Sequence, residues 1–186
     1  MRATGVGQSA LLLLDVAEVL RRDGLDYVVI GAFALSVHGA LRASTDVDAL
    51  LCVKRERLKQ LEISLRSAGF NATLRAGDPE DPVLGLLVIR DTYGNQVDLL
   101  GGLKGMDPQL FVRALEIPLA GEALRFVGRE DFIALKCFAG GPQDILDARS
   151  AYEGAQGPID LDLLRALTRR FGRDAADHLE QILGLE

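Results

Sequence analysis

The chain has 186 residues, 48% hydrophobic and 26% charged, a balance that fits one globular domain with at most a small appendage and excludes a disordered or fibrous protein. Its formal net charge of −6 argues against a broad electropositive surface for nonspecific nucleic-acid binding, although local donors could still hold a small anionic ligand. The longest uncharged apolar run near the N-terminus, Ala10 to Leu14, is far short of the roughly 20 residues of a membrane span, and Cys52 and Cys137 suit neither a disulfide framework nor a zinc site. With Asp15 and Glu18 interrupting the first apolar stretch, no secretory signal is expected, and the protein reads as cytoplasmic.

In chain order, Leu12, Val16, Val19 and Leu20 predict an amphipathic helix over Gln8 to Arg22, closed by Arg21, Arg22 and Gly24. Tyr27 to Ile30 is a short β-branched strand stopped at Gly31, and Ala32 to His38 reads as a helix. Leu41 to Thr45 is a loop, followed by a strand over Asp46 to Val53 whose far half is apolar enough to lie centrally in a sheet. Lys54 to Ala68 is a charged helix with Leu58, Leu61 and Leu65 on one face, closed by Gly69. Phe70 to Leu74 reads as a strand and Arg75 to Pro82 as a loop. Val83 to Arg90 and Gln96 to Leu100 flank a turn at Asp91 to Asn95. Beyond Pro108 come a short helix, a hairpin around Ala120-Gly121-Glu122 and several helices. Leu163, Leu167 and Phe171 form an apolar stripe expected in a bundle core.

The chemistry is concentrated between Ile30 and Asp48. Asp46 and Asp48 are two apart, so on a strand they leave the same face with α-carbons roughly 6.5 to 7 Å apart, while Val47 points into the core. Two such carboxylates repel each other and lose hydration, so they need a compensating cation, and hard oxygen ligands favour Mg2+ or Mn2+. Asp98, within Gln96-Val-Asp-Leu-Leu100, offers a third carboxylate able to converge on them and to deprotonate a hydroxyl. Gly31 closes a strand and opens a helix, so its backbone can approach a phosphate closely. Arg42 and Ser44 add a charge and a hydroxyl for phosphate oxygens. His38 reads as a helix-terminal residue before a stop glycine, Asp144 and Asp147 as a solvent-facing pair on one helix face, and both cysteines as packing residues.

Gly31, Ala34, His38, Gly39, Arg42, Ser44, Asp46 and Asp48 together resemble the nucleotidyltransferase superfamily with the DNA polymerase beta-like fold, especially its small prokaryotic branch related to AbiEii-type toxins. Asp131-Phe-Ile-Ala-Leu-Lys-Cys-Phe-Ala139 and Gln143-Asp-Ile-Leu-Asp147 look like that branch's helical segment. The resemblance covers roughly residues 25 to 150 and departs from the pattern at Ala32, where relatives carry glycine or serine, and at Gly141, where they often carry arginine.

The resemblance implies an α/β (α+β) nucleotidyltransferase fold, a mixed β-sheet flanked by helices, with a catalytic core over residues 1–110 and a mainly helical region over 111–186 packed on it. It implies metal-dependent transfer of a nucleoside monophosphate from a nucleoside triphosphate, such as ATP, to an acceptor hydroxyl on tRNA, a protein or a small molecule. Asp46, Asp48 and Asp98 would be the metal ligands and catalytic carboxylates. Gly31, Ala32, Arg42, Ser44 and Lys136 would hold the nucleotide. A toxin–antitoxin enzyme with a cognate antitoxin, or a homodimer, is part of this expectation. The alternative is a catalytically silent nucleotide-binding or protein-interaction module of the same fold, which the loss of a hydroxyl at Ala32 would allow.

Overall fold

The computed structural model describes residues 1–154 and 157–184; positions 155–156 and 185–186 of the expected helical region fall outside them. In chain order the elements are α1 (Ser9–Arg22), β1 (Tyr27–Ile30), α2 (Gly31–Val37), β2 (Asp46–Leu51), α3 (Arg55–Ser67), β3 (Asn71–Ala76), β4 (Val83–Arg90) and β5 (Gln96–Leu103). A 3-10 turn (Pro108–Phe111) leads into the hairpin β6 (Leu115–Leu119) and β7 (Glu122–Phe126). Four helices follow: α4 (Arg129–Ala139), α5 (Pro142–Glu153), α6 (Leu161–Arg170) and α7 (Arg173–Leu183).

The strands form one mixed sheet in the order β3-β4-β5-β2-β1-β7-β6. Its centre, β2, runs antiparallel to β1 and parallel to β5, with Ile30 opposite Asp48 and Asp48 opposite Asp98. Because side chains alternate across a strand, that register puts Asp46, Asp48, Asp98, Gln96 and Leu100 on one face and Val47, Ala49, Val97 and Leu99 on the other. The second set is buried under α1 and α3, and a Cβ placed on Gly101, in that set's parity, would meet Leu58 of α3 at 2.5 Å. The carboxylate face carries α2, which packs on β1 and β2, and α5 touches α2 so that α4–α7 stand over that side.

Residue 110 is not a boundary of the sheet. Past it, the β6–β7 hairpin adds two more strands, with β7 parallel to β1 through Val29 opposite Phe126, so the helical group is rooted in the same sheet. The hairpin turns on Ala120 (φ 49°) and Gly121 (φ 85°), the paired positive values that a tight two-residue hairpin requires. Other boundaries shift, β2 ending at Leu51 rather than Val53. β3 runs through Arg75 to Ala76 because it pairs with β4 as far as Gly85, and β5 runs to Leu103 opposite Val83. Cys52, expected to pack, instead lies one residue past β2 and is exposed, whereas Cys137 is buried in α4. The Leu163, Leu167 and Phe171 stripe packs in the helical group, with the Phe171 ring stacked on Phe138 at 4.8 Å.

Phe132 of α4, 1% exposed, joins the helical group to the sheet side, its ring 5.2 Å from that of His38. Phe132→Ala is expected to cost about 3 to 5 kcal/mol of stability, read as a lowered chemical-denaturation midpoint with an unchanged slope.

Candidate active site

Asp46, Asp48 and Asp98 meet on the open face of β2 and β5, each offering one carboxylate oxygen, and these oxygens lie within 4.8 Å of one another. β-strand parity and the Asp48–Asp98 register are sufficient to bring them together. The electrostatic cost is visible at Asp48. Burial, then the neighbouring Asp46 and Asp98 charges, push its carboxyl up to about 6, against the opposing pull of Lys136 and Arg42. Asp98 is also raised, chiefly by burial, although Gln96 donates to both of its oxygens at 2.9 and 3.0 Å. The Ser44 hydroxyl donates to Asp46 Oδ1. Three acidic oxygens at this spacing fit a hard divalent cation such as Mg2+, whose charge would offset the repulsion.

Gly31 has a reason to be glycine independent of any ligand. Its φ is +67°, and a Cβ there would stand 2.2 Å from Asp48 Oδ2. Gly31, Asp48, Lys136 and Asp144 line one cleft of about 380 Å³ between the sheet and α4, otherwise walled by apolar groups such as Leu100, Phe132 and Phe138. Ala32, Arg42 and Ser44 line a second hollow of about 340 Å³ that reaches Asp46. The five residues expected to hold nucleotide are thus divided between two hollows that share the carboxylate cluster.

Asp144 and Asp147, expected to face solvent, do otherwise. Asp147 is 2% exposed, and Lys136 Nζ lies 2.7 Å from Asp144 Oδ1 and 2.8 Å from Asp147 Oδ2. Arg42 Nε lies 3.5 Å from Asp147 Oδ1, which also accepts from Gln143. Asp147 Oδ2 makes no hydrogen bond of good geometry, so its close approach to the ammonium is an ion pair alone. One buried carboxylate of α5 therefore spaces the two cations, one from α4 and one from the loop before β2. The i, i+3 spacing of the two aspartates placed them on one helix face, but only the packing of α5 against α2 and α4 shows that this face is inward.

Two further positions carry no sequence signal for this role. Ser9, at the start of α1, donates its hydroxyl to Thr45 O and accepts from Gln96 N, so one side chain ties the entries of both carboxylate strands. Asn95, 1% exposed, accepts from Gln8 N and donates to Gly5 O, fastening the N-terminal segment to the β4–β5 turn. His38 stands at the C-terminus of α2 as its sequence position indicated, with Nε2 3.0 Å from Val127 O. Burial pushes the Cys137 thiol up to about 12, which leaves it a packing group.

No family model and no curated protein sequence matches the chain. Its fold is shared with solved structures. ANT(2″)-Ia in complex with adenylyl-2″-tobramycin superposes with a TM-score of 0.58 and 17% identity, covering 88% of this chain and 96% of that one. An antigenic nucleotidyltransferase-like protein from Paracoccidioides brasiliensis gives 0.55 and 16%, covering 99% and 96%. The lincosamide antibiotic adenylyltransferase LnuA, lincomycin-bound, gives 0.50 and 10%, covering 82% and 100%. At these identities the likeness establishes the nucleotidyltransferase fold.

Two outcomes follow from the geometry. In the metal-free protein Asp48 holds its proton more tightly folded than unfolded, so the folded state binds more protons between about pH 4 and 6 and its stability falls as pH rises through that window. Asp48→Asn is expected to flatten this part of the melting-temperature profile, and an unchanged profile would remove Asp48 as its source. The double variant Asp144→Ala/Asp147→Ala leaves Lys136, with a side chain only 11% exposed, without either carboxylate partner and is expected to cost about 3 to 5 kcal/mol. Adding Lys136→Met should recover much of that loss in denaturant melts, because no unpaired ammonium is then left.

Proposed function

We propose that the chain is a metal-dependent nucleotidyltransferase that moves a nucleoside monophosphate from a nucleoside triphosphate to an acceptor hydroxyl. The observation that carries the reading is the convergence of Asp46, Asp48 and Asp98 beside Gly31 at the mouth of the cleft. The shared fold supports it, and ANT(2″)-Ia and LnuA show that this fold serves adenylyl transfer.

Asp46 and Asp48 would hold Mg2+ or Mn2+, with Asp98 completing the ligand set. Bound there, the ion would neutralise the carboxylates and the charge that develops on the triphosphate. The residues themselves do the following. The backbone of Gly31 and Ala32, at the turn from β1 into α2, would receive phosphate oxygens beside Asp48. Lys136 and Arg42, held apart by Asp147, present two cations to the triphosphate, and Ser44 steadies Asp46. Asp98, its carboxyl raised by burial, takes the proton of the acceptor hydroxyl. The acceptor oxygen forms a bond to the α-phosphorus, the bond between that phosphorus and the bridging oxygen toward the β-phosphate breaks, and pyrophosphate leaves.

Within this reading we place the chain with the AbiEii-type branch on Arg42, Ser44, Asp46, Asp48 and Lys136. A cognate antitoxin or a second copy is its proposed partner and the cytoplasm its proposed compartment. Two observations favour a silent nucleotide-binding module instead. Ala32 supplies no hydroxyl, and both phosphate-side cations already have carboxylate partners. Incubation with each α-labelled nucleoside triphosphate, Mg2+ and cell extract separates the two. The enzyme reading expects labelled acceptor and released pyrophosphate, with Asp98→Asn slower by about 10²-fold or more while its nucleotide-induced rise in melting temperature persists. Nucleotide binding without pyrophosphate release would establish the silent module.

A further inference from the structure

The two aspartates of α5 that hold Lys136 are not equivalent. Asp147 is 2% exposed, accepts from Gln143 and also faces Arg42, so it is fixed from three sides. Asp144 has a side chain 29% exposed and, unlike Asp147, lines the cleft beside Lys136, Gly31 and Asp48. Its Oδ1 accepts from Lys136 Nζ at 2.7 Å. Its Oδ2 stands 2.9 Å from the point where a side chain on residue 141 would begin, so this pose depends on Gly141. That is the position at which the chain departs from the arginine of its family pattern, and the φ of −68° there makes no demand for glycine.

Lys136 is the cation that this cleft presents to a ligand, and its ammonium is already occupied. Asp144 approaches at 2.7 Å and Asp147 at 2.8 Å, while the centre of the Phe132 ring lies 5.8 Å from Nζ. With the lysine side chain only 11% exposed, a triphosphate oxygen gains a full contact with the ammonium only where one of the carboxylates withdraws. Two carboxylates against one ammonium, with Asp48 close by, also leave this end of the cleft net negative, so an incoming polyanion meets repulsion. Asp144 is the one that can move. It sits in the first turn of α5, whose N-cap Gly141 supplies no side-chain cap, so a carboxylate turned away from Lys136 is received by the helix N-terminus. Asp147, buried one turn further along, stays behind and keeps the ammonium from being left unpaired.

We propose that Asp144 is an internal competitor of the donor: in the empty cleft it occupies the place on Lys136 that a triphosphate oxygen takes, and nucleotide binding exchanges one anion for the other. The proposal rests on the nucleotide-binding reading of the cleft. Donor affinity is then reduced by the fraction of molecules in which the Asp144–Lys136 pair is closed, a cost that removing the Asp144 charge removes as well. A cation already paired in the empty protein is thereby compatible with a working donor site, because its exposed partner leaves as the phosphate arrives. Gly141 belongs to the same device, since the missing side chain is what lets the Asp144 carboxylate lie across the start of α5 and reach Lys136.

The test is calorimetric titration of the full chain with a nonhydrolysable ATP analogue in the presence of Mg2+. Asp144→Asn, which keeps the shape and removes the charge, is expected to bind the analogue about tenfold more tightly than wild type, at a melting temperature close to wild type because Asp147 still pairs with Lys136. Gly141→Ala keeps the Asp144 charge but sets a Cβ against Oδ2, and it is expected to tighten binding about threefold or more. Unchanged or weaker binding in Asp144→Asn would overturn the proposal. So would tighter binding in Asp144→Asn with none in Gly141→Ala, since Asp144 would then act through its charge alone and not by occupying Lys136. Should Asp144→Asn fold poorly, Gly141→Ala decides by itself, tighter binding supporting the exchange and unchanged or weaker binding refuting it. If wild type binds the analogue and neither variant binds it more tightly, this inference alone fails; if wild type and both variants leave the analogue unbound at millimolar concentration, the nucleotide-binding reading fails with it.

Discussion

Three carboxylates with oxygens within 4.8 Å of one another repel, and much of the local structure is arranged around that repulsion. A sheet register, rather than an attraction between the side chains, puts them there, so the backbone must hold them against their own field. Ladder hydrogen bonds on both sides of β2 do so, with Ser9 fastening the entries of the strands that carry Asp46 and Asp98. The cation partners stand one layer away. Lys136 and Arg42 lower the Asp48 carboxyl without pairing directly with the three, because Asp144 and Asp147 hold them. Among the described residues no side-chain cation pairs directly with the three carboxylates, as a divalent ion between them would require.

The strands and the carboxylates could be read from the chain because their signals are local. Tyr27 to Ile30, Val83 to Arg90 and the Asp-x-Asp at Asp46 and Asp48 depend only on side-chain type and a period of two. Asp98 followed from the same alternation in Gln96 to Leu100. The positions that could not be read depend on packing between distant elements. Asp147 looked like a solvent-facing helix residue until α5 was seated against α2 and α4. Ser9 looked like an ordinary first-turn residue until its hydroxyl was found between Thr45 and Gln96, 36 and 87 residues away. The continuation of the sheet through β7 is likewise a non-local pairing, resting on Val29 and Phe126 and on Val127 N donating to Val29 O at 3.0 Å.

Gly31 shows how one residue can answer to two constraints at once. Its positive φ makes the turn from β1 into α2, and the absent Cβ leaves room for Asp48 Oδ2. The sequence alone suggested a close approach of backbone to phosphate, and the structure supplies a neighbour already there. A side chain at this position would displace the central carboxylate before any ligand was bound, so its effect on phosphate cannot be separated from its effect on Asp48 by substitution at Gly31 alone. Ala32, the next residue, is buried and lines the neighbouring hollow with Arg42 and Ser44.

The cations around the cluster fall into two kinds, and the difference bears on how each could act on a ligand. Lys136 and Arg42 are tied to buried or half-buried carboxylates, so their positions are set before a ligand arrives and their charge is partly compensated. On the β4 and β3 side Arg75 and Arg90 are exposed and unpaired among the described residues, so their charge is available but their side chains must be ordered by whatever binds. On the proposed reading, fixed cations suit a phosphate chain that must be aligned for attack, since preorganised donors lose little on binding. Exposed cations without a carboxylate partner lose side-chain freedom when they are ordered, so they contribute less to alignment than the fixed pair. On that reading the alignment of the triphosphate falls to Lys136 and Arg42, whose positions Asp144 and Asp147 set before any ligand is present.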